Sequence, residues 1–167
     1  MSEAKRLKAM PKGPLSIVCC LVFDKQDRIL LLQRHSEDLG GGLWGQPGGR
    51  QEPGESPEVT AIREVKEETG LALNGVKYLG KHELKMPHGV AHMKTFKAQV
   101  NGNEKIIIDR EEHEGYRWFA VANLLKSKNI IWGLPTSMMD FGLIEPFEID
   151  HTLADGSQAI LLELAGA

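Results

Sequence analysis

The chain has 167 residues, 41% of them hydrophobic and 26% charged, with a net charge of -3. That length suits one domain with a real core and is short for two. The mild negative charge excludes a general electrostatic grip on DNA or RNA, so no stable nucleic acid complex is expected. A protein of this charge acting on polyphosphates needs local positive charge, from a metal ion or from a few placed Lys and Arg residues.

Residues 1–13 hold Lys5, Arg6, Lys8 and Lys12 without a following apolar stretch and cleavage site, so they are expected to be a tail rather than a secretory signal. A single domain is expected over 14–167. Leu15 to Phe23 is apolar and rich in β-branched residues, too short to span a bilayer, and no membrane role is expected. Adjacent Cys19 and Cys20 would point to opposite faces of that strand and would not form an ordinary disulfide, which fits a reduced, cytoplasmic chain. The polar break Asp24 to Asp27 predicts a turn into a second strand, Arg28 to Gln33.

The run from Gly40 to Gly49 is glycine-rich and predicts a loop whose backbone approaches a ligand closely. Ser56-Pro57 is a helix start and Gly70 a stop, predicting a helix over 57–69. Strands are predicted over 72–85, 90–100 and 115–119, giving a mixed or antiparallel sheet, with short helices over 120–126 and 136–143, the latter capped by Thr136. Phe147 to Leu153 and Ser157 to Leu164 flank Ala154-Asp155-Gly156 and predict a C-terminal hairpin over 147–164 that covers a sheet edge or forms a homodimer.

At roughly 100° per residue, Glu64, Glu67 and Glu68 share one arc of the 57–69 helix, while Val59, Ile62, Val65 and Thr69 occupy the far side. The helix therefore predicts a packed face and an opposing carboxylate face. Like charges at i,i+4, such as Glu64 and Glu68, destabilise an isolated helix, and a bound cation removes that penalty. Carboxylate oxygens are hard ligands that suit Mg²⁺, which commonly bridges protein carboxylates and substrate phosphates. A plain solvated charged face is the alternative.

The arrangement around these glutamates is more specific. Gly49, Glu55, then Arg63-Glu64-Val65-Lys66-Glu67-Glu68-Thr69-Gly70-Leu71 resembles the signature of the Nudix hydrolases, G-x5-E-x7-R-E-U-x-E-E-x-G-U with U aliphatic, at every specified position. The resemblance implies an α/β fold, the Nudix α/β/α sandwich with a mixed sheet, and Mg²⁺-dependent hydrolysis of a nucleoside diphosphate linked to another moiety, with Mn²⁺ as an alternative ion. It implies metal ligation by Glu64, Glu67, Glu68 and the Gly48 carbonyl. Arg63 and Glu55 are implied as supports that pair and hold the loop on the helix. A glutamate outside the signature often completes such a site; here Glu112 is the choice, with Glu111 and Glu114 as competitors. The general base is Glu64 or that outside glutamate.

Substrate contacts are expected from Arg34, Gly49 and Trp44, where Trp44 stacks on a base or anchors the core. His113, beside Glu112, has a functional and a structural reading. A nucleoside triphosphate, a dinucleoside polyphosphate and an ADP-ribose-like nucleotide all fit the implied reaction. RNA 5′-end hydrolysis and nucleotide binding without catalysis are the other readings.

Overall fold

A computed structural model describes residues 14–38, 41–86, 89–124, 126–131 and 133–145. The tail expected over 1–13, the hairpin expected over 147–164 and Trp132 lie outside these residues.

At the centre runs β1 (Leu15–Phe23), paired in parallel along its whole length with β6 (Gly89–Gln99), from Leu15↔Ala91 to Phe23↔Gln99. Its other side is antiparallel to β4 (Gly48–Arg50), with Cys19 opposite Gly48, and meets β2 (Arg28–Arg34) at the turn. β2 pairs with β3 (Trp44–Gly45) and β7 (His113–Ala120), and β5 (Lys77–Met86) pairs with β6, all antiparallel. One parallel pair among antiparallel ones makes the sheet mixed. The β1–β2 turn is set by buried Asp24, which accepts from the Gln26 and Arg28 amides at 2.9 Å each and from Arg28 Nε at 2.7 Å. The side chain thus replaces backbone partners that a tight turn loses.

Strand alternation splits the core in two. Val18, Cys20, Val22 and Leu30 pack with Ala61 and Val65 of α1 (Pro57–Thr69), while Leu21, Phe23, Ile29 and Leu31 pack with Leu124 of α2 (Val121–Leu124) and Leu134 and Met138 of α3 (Leu134–Asp140). Helices therefore cover both faces, giving the α/β/α sandwich, and each fully buried Val or Leu contributes roughly 1.5–3 kcal/mol. Cys19 and Cys20 are buried and free.

The limits of α1 follow its end signals. Ser56 Oγ accepts from the Val59 amide at 3.3 Å, and Gly70, at φ 77°, returns its N–H to the Lys66 carbonyl at 2.9 Å. Because a side chain at that φ is strained, Gly70→Ala is expected to lower stability by about 1 kcal/mol in urea unfolding.

Several boundaries differ from expectation. The strand predicted from Ala72 begins only at Lys77, because Leu71, Leu73 and Val76 spend their side chains on the α1 layer as the chain turns from the cap. The helix predicted over 120–126 keeps only Val121–Leu124. Thr136 is not a cap: α3 starts at Leu134 behind Gly133, with a proline in its first turn, where no amide donor is needed. The glycine-rich run is largely loop, but β3 and β4 are cut from it.

Candidate active site

The packed face of α1 is only in part the one its apolar residues predict: Val65 and Thr69 are buried as expected, but the burial extends to other residues. Val59 is 51% exposed, whereas Thr60, Ala61, Val65, Thr69 and Glu68 are buried, Glu68 at only 5% exposure. Burial thus runs round the helix from Val65 and Thr69 to Ala61, Thr60 and Glu68, so that part of the carboxylate side lies against β4. Glycines make room there. A Cβ on Gly48 would stand 2.5 Å from the Val18 carbonyl oxygen, and one on Gly49 would land on the Glu64 carboxylate. Glu68 Oε2 accepts from the Gly48 amide at 2.9 Å.

Arg63 organises the neighbouring acids. It donates to Glu55 through Nε at 2.6 Å and Nη2 at 3.0 Å, to Glu64 through Nη1 at 2.9 Å, to Glu67 at 3.2 Å and to the Arg50 carbonyl at 3.1 Å. Thr60 Oγ1 also donates to Glu55, at 2.9 Å. The loop after β4 is thereby tied to the helix. Glu67 stands at the rim, its side chain 58% exposed.

Charge costs differ sharply across the set. The Arg63 guanidinium holds the Glu55 carboxyl down at about 2. Burial pushes Glu68 well above the usual carboxylate range, against the Gly48 hydrogen bond, and nearby Glu64 and Glu112 add to the rise. Glu64 is also raised by burial, with Arg63 opposing. A buried carboxylate, Glu68, and a half-buried one, Glu64, that both resist ionisation mark a site short of positive charge.

The opposite wall comes from β2 and the start of β7. Backbone bonds from the Ile107 amide to the Thr69 carbonyl (2.8 Å) and from the Asp109 amide to the Glu68 carbonyl (3.4 Å) dock the 107–112 segment on the C-terminal end of α1. Glu112 and His113 thus reach Glu68, and the three offer ligand atoms all within 4.8 Å of one another. Arg34, Asp38 and Gln46 line the same cleft. Burial first, and then Arg34, lower His113 to about 4, so its ring is neutral at neutral pH.

Residues 13–138 match the NUDIX domain. The chain belongs to the Nudix family. It is similar to the NAD-capped RNA hydrolase NudC of Pseudomonas entomophila, 30% identical over 118 residues that cover 71% of this chain. The chain spans 40% of the length of that relative. It is 25% identical over 131 residues to the CTP pyrophosphohydrolase of Escherichia coli, covering 78% of this chain and 89% of that protein. The NUDIX domain of Shewanella oneidensis NrtR, solved with ADP ribose, superposes with a TM-score of 0.67 at 23% identity, over 86% of this chain and 99% of that one. This last likeness is one of fold.

Of the residues singled out by the Nudix signature and its surroundings, Gly48, Gly49, Glu55, Arg63, Glu64 and Glu68 come together at the junction of β4 and α1, and Glu112 and Arg34 face them. Glu114 turns away to accept from the Ser36 amide at 2.9 Å. Trp44 sits on the other face: paired with Gln33, its ring packs edge-on to Phe119 at 5.5 Å between centroids, with Arg117 over it. That placement favours the core-anchor reading over base stacking. Asp38 and Gln46 were not singled out by the sequence, where nothing distinguishes them from loop polar residues.

Arg63→Lys, which keeps one charge and loses the fork, is expected to cut any turnover about 10- to 100-fold, as for other residues that orient ligands. Steady-state kinetics and thermal melts check this. Since Glu55 is held at about 2, its contribution to stability is present above about 4.5 and lost as pH falls toward about 2, and the variant should unfold at higher pH on acid titration.

Proposed function

We propose that this Nudix chain is a divalent-cation-dependent pyrophosphohydrolase of a small nucleotide. The observation that carries the reading is Glu68, a carboxylate buried on the packed face of α1, bonded to the Gly48 amide and grouped with Glu112 and His113. The donor set fits a hard dication: the oxygens of Glu64, Glu67, Glu68 and Glu112, with the Gly48 carbonyl, would hold Mg²⁺ or Mn²⁺ and offset the burial cost of the two raised carboxylates. When bound, the cation supplies charge neutralisation on the diphosphate and acidifies the attacking water.

The chain's own residues do the rest. Arg34 meets phosphate charge from the β2 side of the cleft, and Arg63 with Glu55 fixes the direction of Glu64. The proton of the attacking water passes to Glu64 or Glu112, the carboxylates on opposite walls. Cleavage leaves a nucleoside monophosphate and the phosphorylated remainder. Nucleoside triphosphates, dinucleoside polyphosphates and ADP-ribose-like nucleotides are the substrate classes proposed. They are supported by a relative named for CTP and by a NUDIX domain solved with ADP ribose. The NudC relative's name favours a second reading, hydrolysis at a nucleotide-capped RNA end. Free buried thiols support a reducing, cytoplasmic setting, and no helix among the described residues is long and apolar enough to cross a membrane.

Phosphorus NMR of products, with Mg²⁺ and with chelator, over nucleoside triphosphates, dinucleoside polyphosphates, ADP-ribose, NAD and an NAD-capped oligonucleotide tests the proposal. Metal-dependent cleavage of one free nucleotide class is the expected result. Cleavage of the capped oligonucleotide alone would move the function to RNA ends, and retention without turnover would reduce the chain to a nucleotide-binding module.

A further inference from the structure

β7 is irregular where it enters the cleft. From Ala120 to Gly115 it pairs with β2 residue for residue, yet Arg34 lies opposite His113 rather than Glu114, because the register shifts between Gln33 and Arg34. Up to that point the alternation is regular: Trp118, opposite Leu30, packs on the α1 side of the sheet. Continued without the shift, it would bring Glu114 to the cleft and turn His113 away. The extra residue reverses this, sending Glu114 to the Ser36 amide and His113 to the side of Arg34 and Glu68. Bulges beside active sites commonly re-aim a side chain in this way.

The re-aimed ring is built in. His113 is only 8% exposed, its amide donates to the Asp109 carbonyl at 2.9 Å, and its Nδ1 is buried with no hydrogen-bond partner among the described residues. A buried ring nitrogen left in that state costs free energy unless it acquires a partner. One ring nitrogen and one oxygen each from Glu68 and Glu112 lie within 4.8 Å of one another. Ligands around a dication at ~2.1 Å stand at most about 4.2 Å apart, so a modest contraction closes the group on an ion.

We propose that His113 is a nitrogen ligand to the divalent cation, giving the centre a mixed oxygen and nitrogen donor set that shifts its preference from Mg²⁺ toward transition-metal dications. This rests on the metal reading given above and adds to it a ligand that the carboxylate signature does not contain. Imidazole binds Co²⁺ and Zn²⁺ far better than it binds Mg²⁺, with Mn²⁺ between them. Removing the ring should therefore weaken the transition metals selectively, whereas a ring that only packs the wall, or only contacts phosphate, would leave metal preference unchanged.

The test is electron spin-echo spectroscopy of the full chain loaded with Mn²⁺, with histidine ¹⁵N-labelled, together with calorimetric titration of Mn²⁺ and Mg²⁺. The expected result is a directly bonded nitrogen coupling that disappears in His113→Gln, with Mn²⁺ affinity falling about tenfold and Mg²⁺ affinity less than about threefold. Bound Mn²⁺ without such a coupling in the unsubstituted chain overturns the proposal and leaves the carboxylate site standing; that measurement does not depend on the variant folding. A coupling that survives in folded His113→Gln also overturns it. Failure of Mn²⁺ to bind at all removes the metal reading itself.

Discussion

Glu68→Gln is expected to lower turnover by roughly three orders of magnitude while leaving the fold as stable as before, or more so, in chelator. The two effects share one cause. Gln keeps a carbonyl oxygen to accept from the Gly48 amide and nearly the same volume, but removes a carboxyl whose ionisation is opposed by burial, since Glu68 is 5% exposed and raised well above the usual carboxylate range. A carboxyl raised on folding gives stability that is complete below about 4.5 and is lost as pH climbs toward the folded value. Glu64, also raised, works in the same direction. In chelator the unsubstituted chain should therefore melt lower at pH 8 than at pH 5, Mg²⁺ should reverse the loss, and the variant should show a flatter profile that Mg²⁺ moves less. A variant that melts well below the parent at pH 8 would mean that Glu68 serves the fold through its charge, and retained turnover would remove it from the site.

How much of this was legible depends on which force each residue obeys. The ends of α1 were readable because Ser56, Pro57 and Gly70 act locally, through a cap, a first-turn ring and a left-handed φ. The alternation of β1 was readable for the same reason, and Cys20 packs in the core on the α1 side with both thiols free. What differed was the extent of the packed face of the helix, which keeps Val65 and Thr69 but leaves Val59 exposed and takes in Glu68. Periodicity sends Val59 inward, but small Ala61 packs on the β1 and β2 core residues and Thr60 spends its hydroxyl on Glu55, while Gly48 and Gly49 of β4 leave room beside Glu68 and Glu64. A carboxylate then occupies the buried position, an arrangement that hydrophobic pattern alone argues against. The turn of Glu114 away from the cleft and of His113 into it follows a one-residue shift in the pairing of β7 with β2, a property of strand pairing that leaves no local mark. Trp44 was undecided because a tryptophan before a glycine loop suits either face, and only its pairing with Gln33 places it against Phe119.

The two glycines should separate fold from chemistry. A methyl at Gly48 meets backbone, the Val18 carbonyl oxygen at 2.5 Å and Cys19 Cα at 2.9 Å, with the Cys19 thiol at 3.0 Å. Neither β1 nor β4 can yield without breaking the pairs Val18↔Gly49 and Cys19↔Gly48, in the part of β1 whose other side is fixed to β6. Gly48→Ala is expected to cost about 3 kcal/mol or more and roughly 10 °C in melting temperature. The three atoms nearest a methyl at Gly49 all belong to the Glu64 carboxylate, the far end of a flexible side chain. Gly49→Ala should therefore hold its melting temperature within a few degrees while displacing Glu64 from the β4 edge and breaking its alignment with Arg63, and turnover should fall about a hundredfold. Measured side by side, the pair gives opposite signatures, one in calorimetry and one in kinetics. Equal destabilisation by both would mean that Glu64 is fixed as rigidly as the strand, and a silent Gly49→Ala would mean that its carboxylate need not lie where β4 and Arg63 hold it.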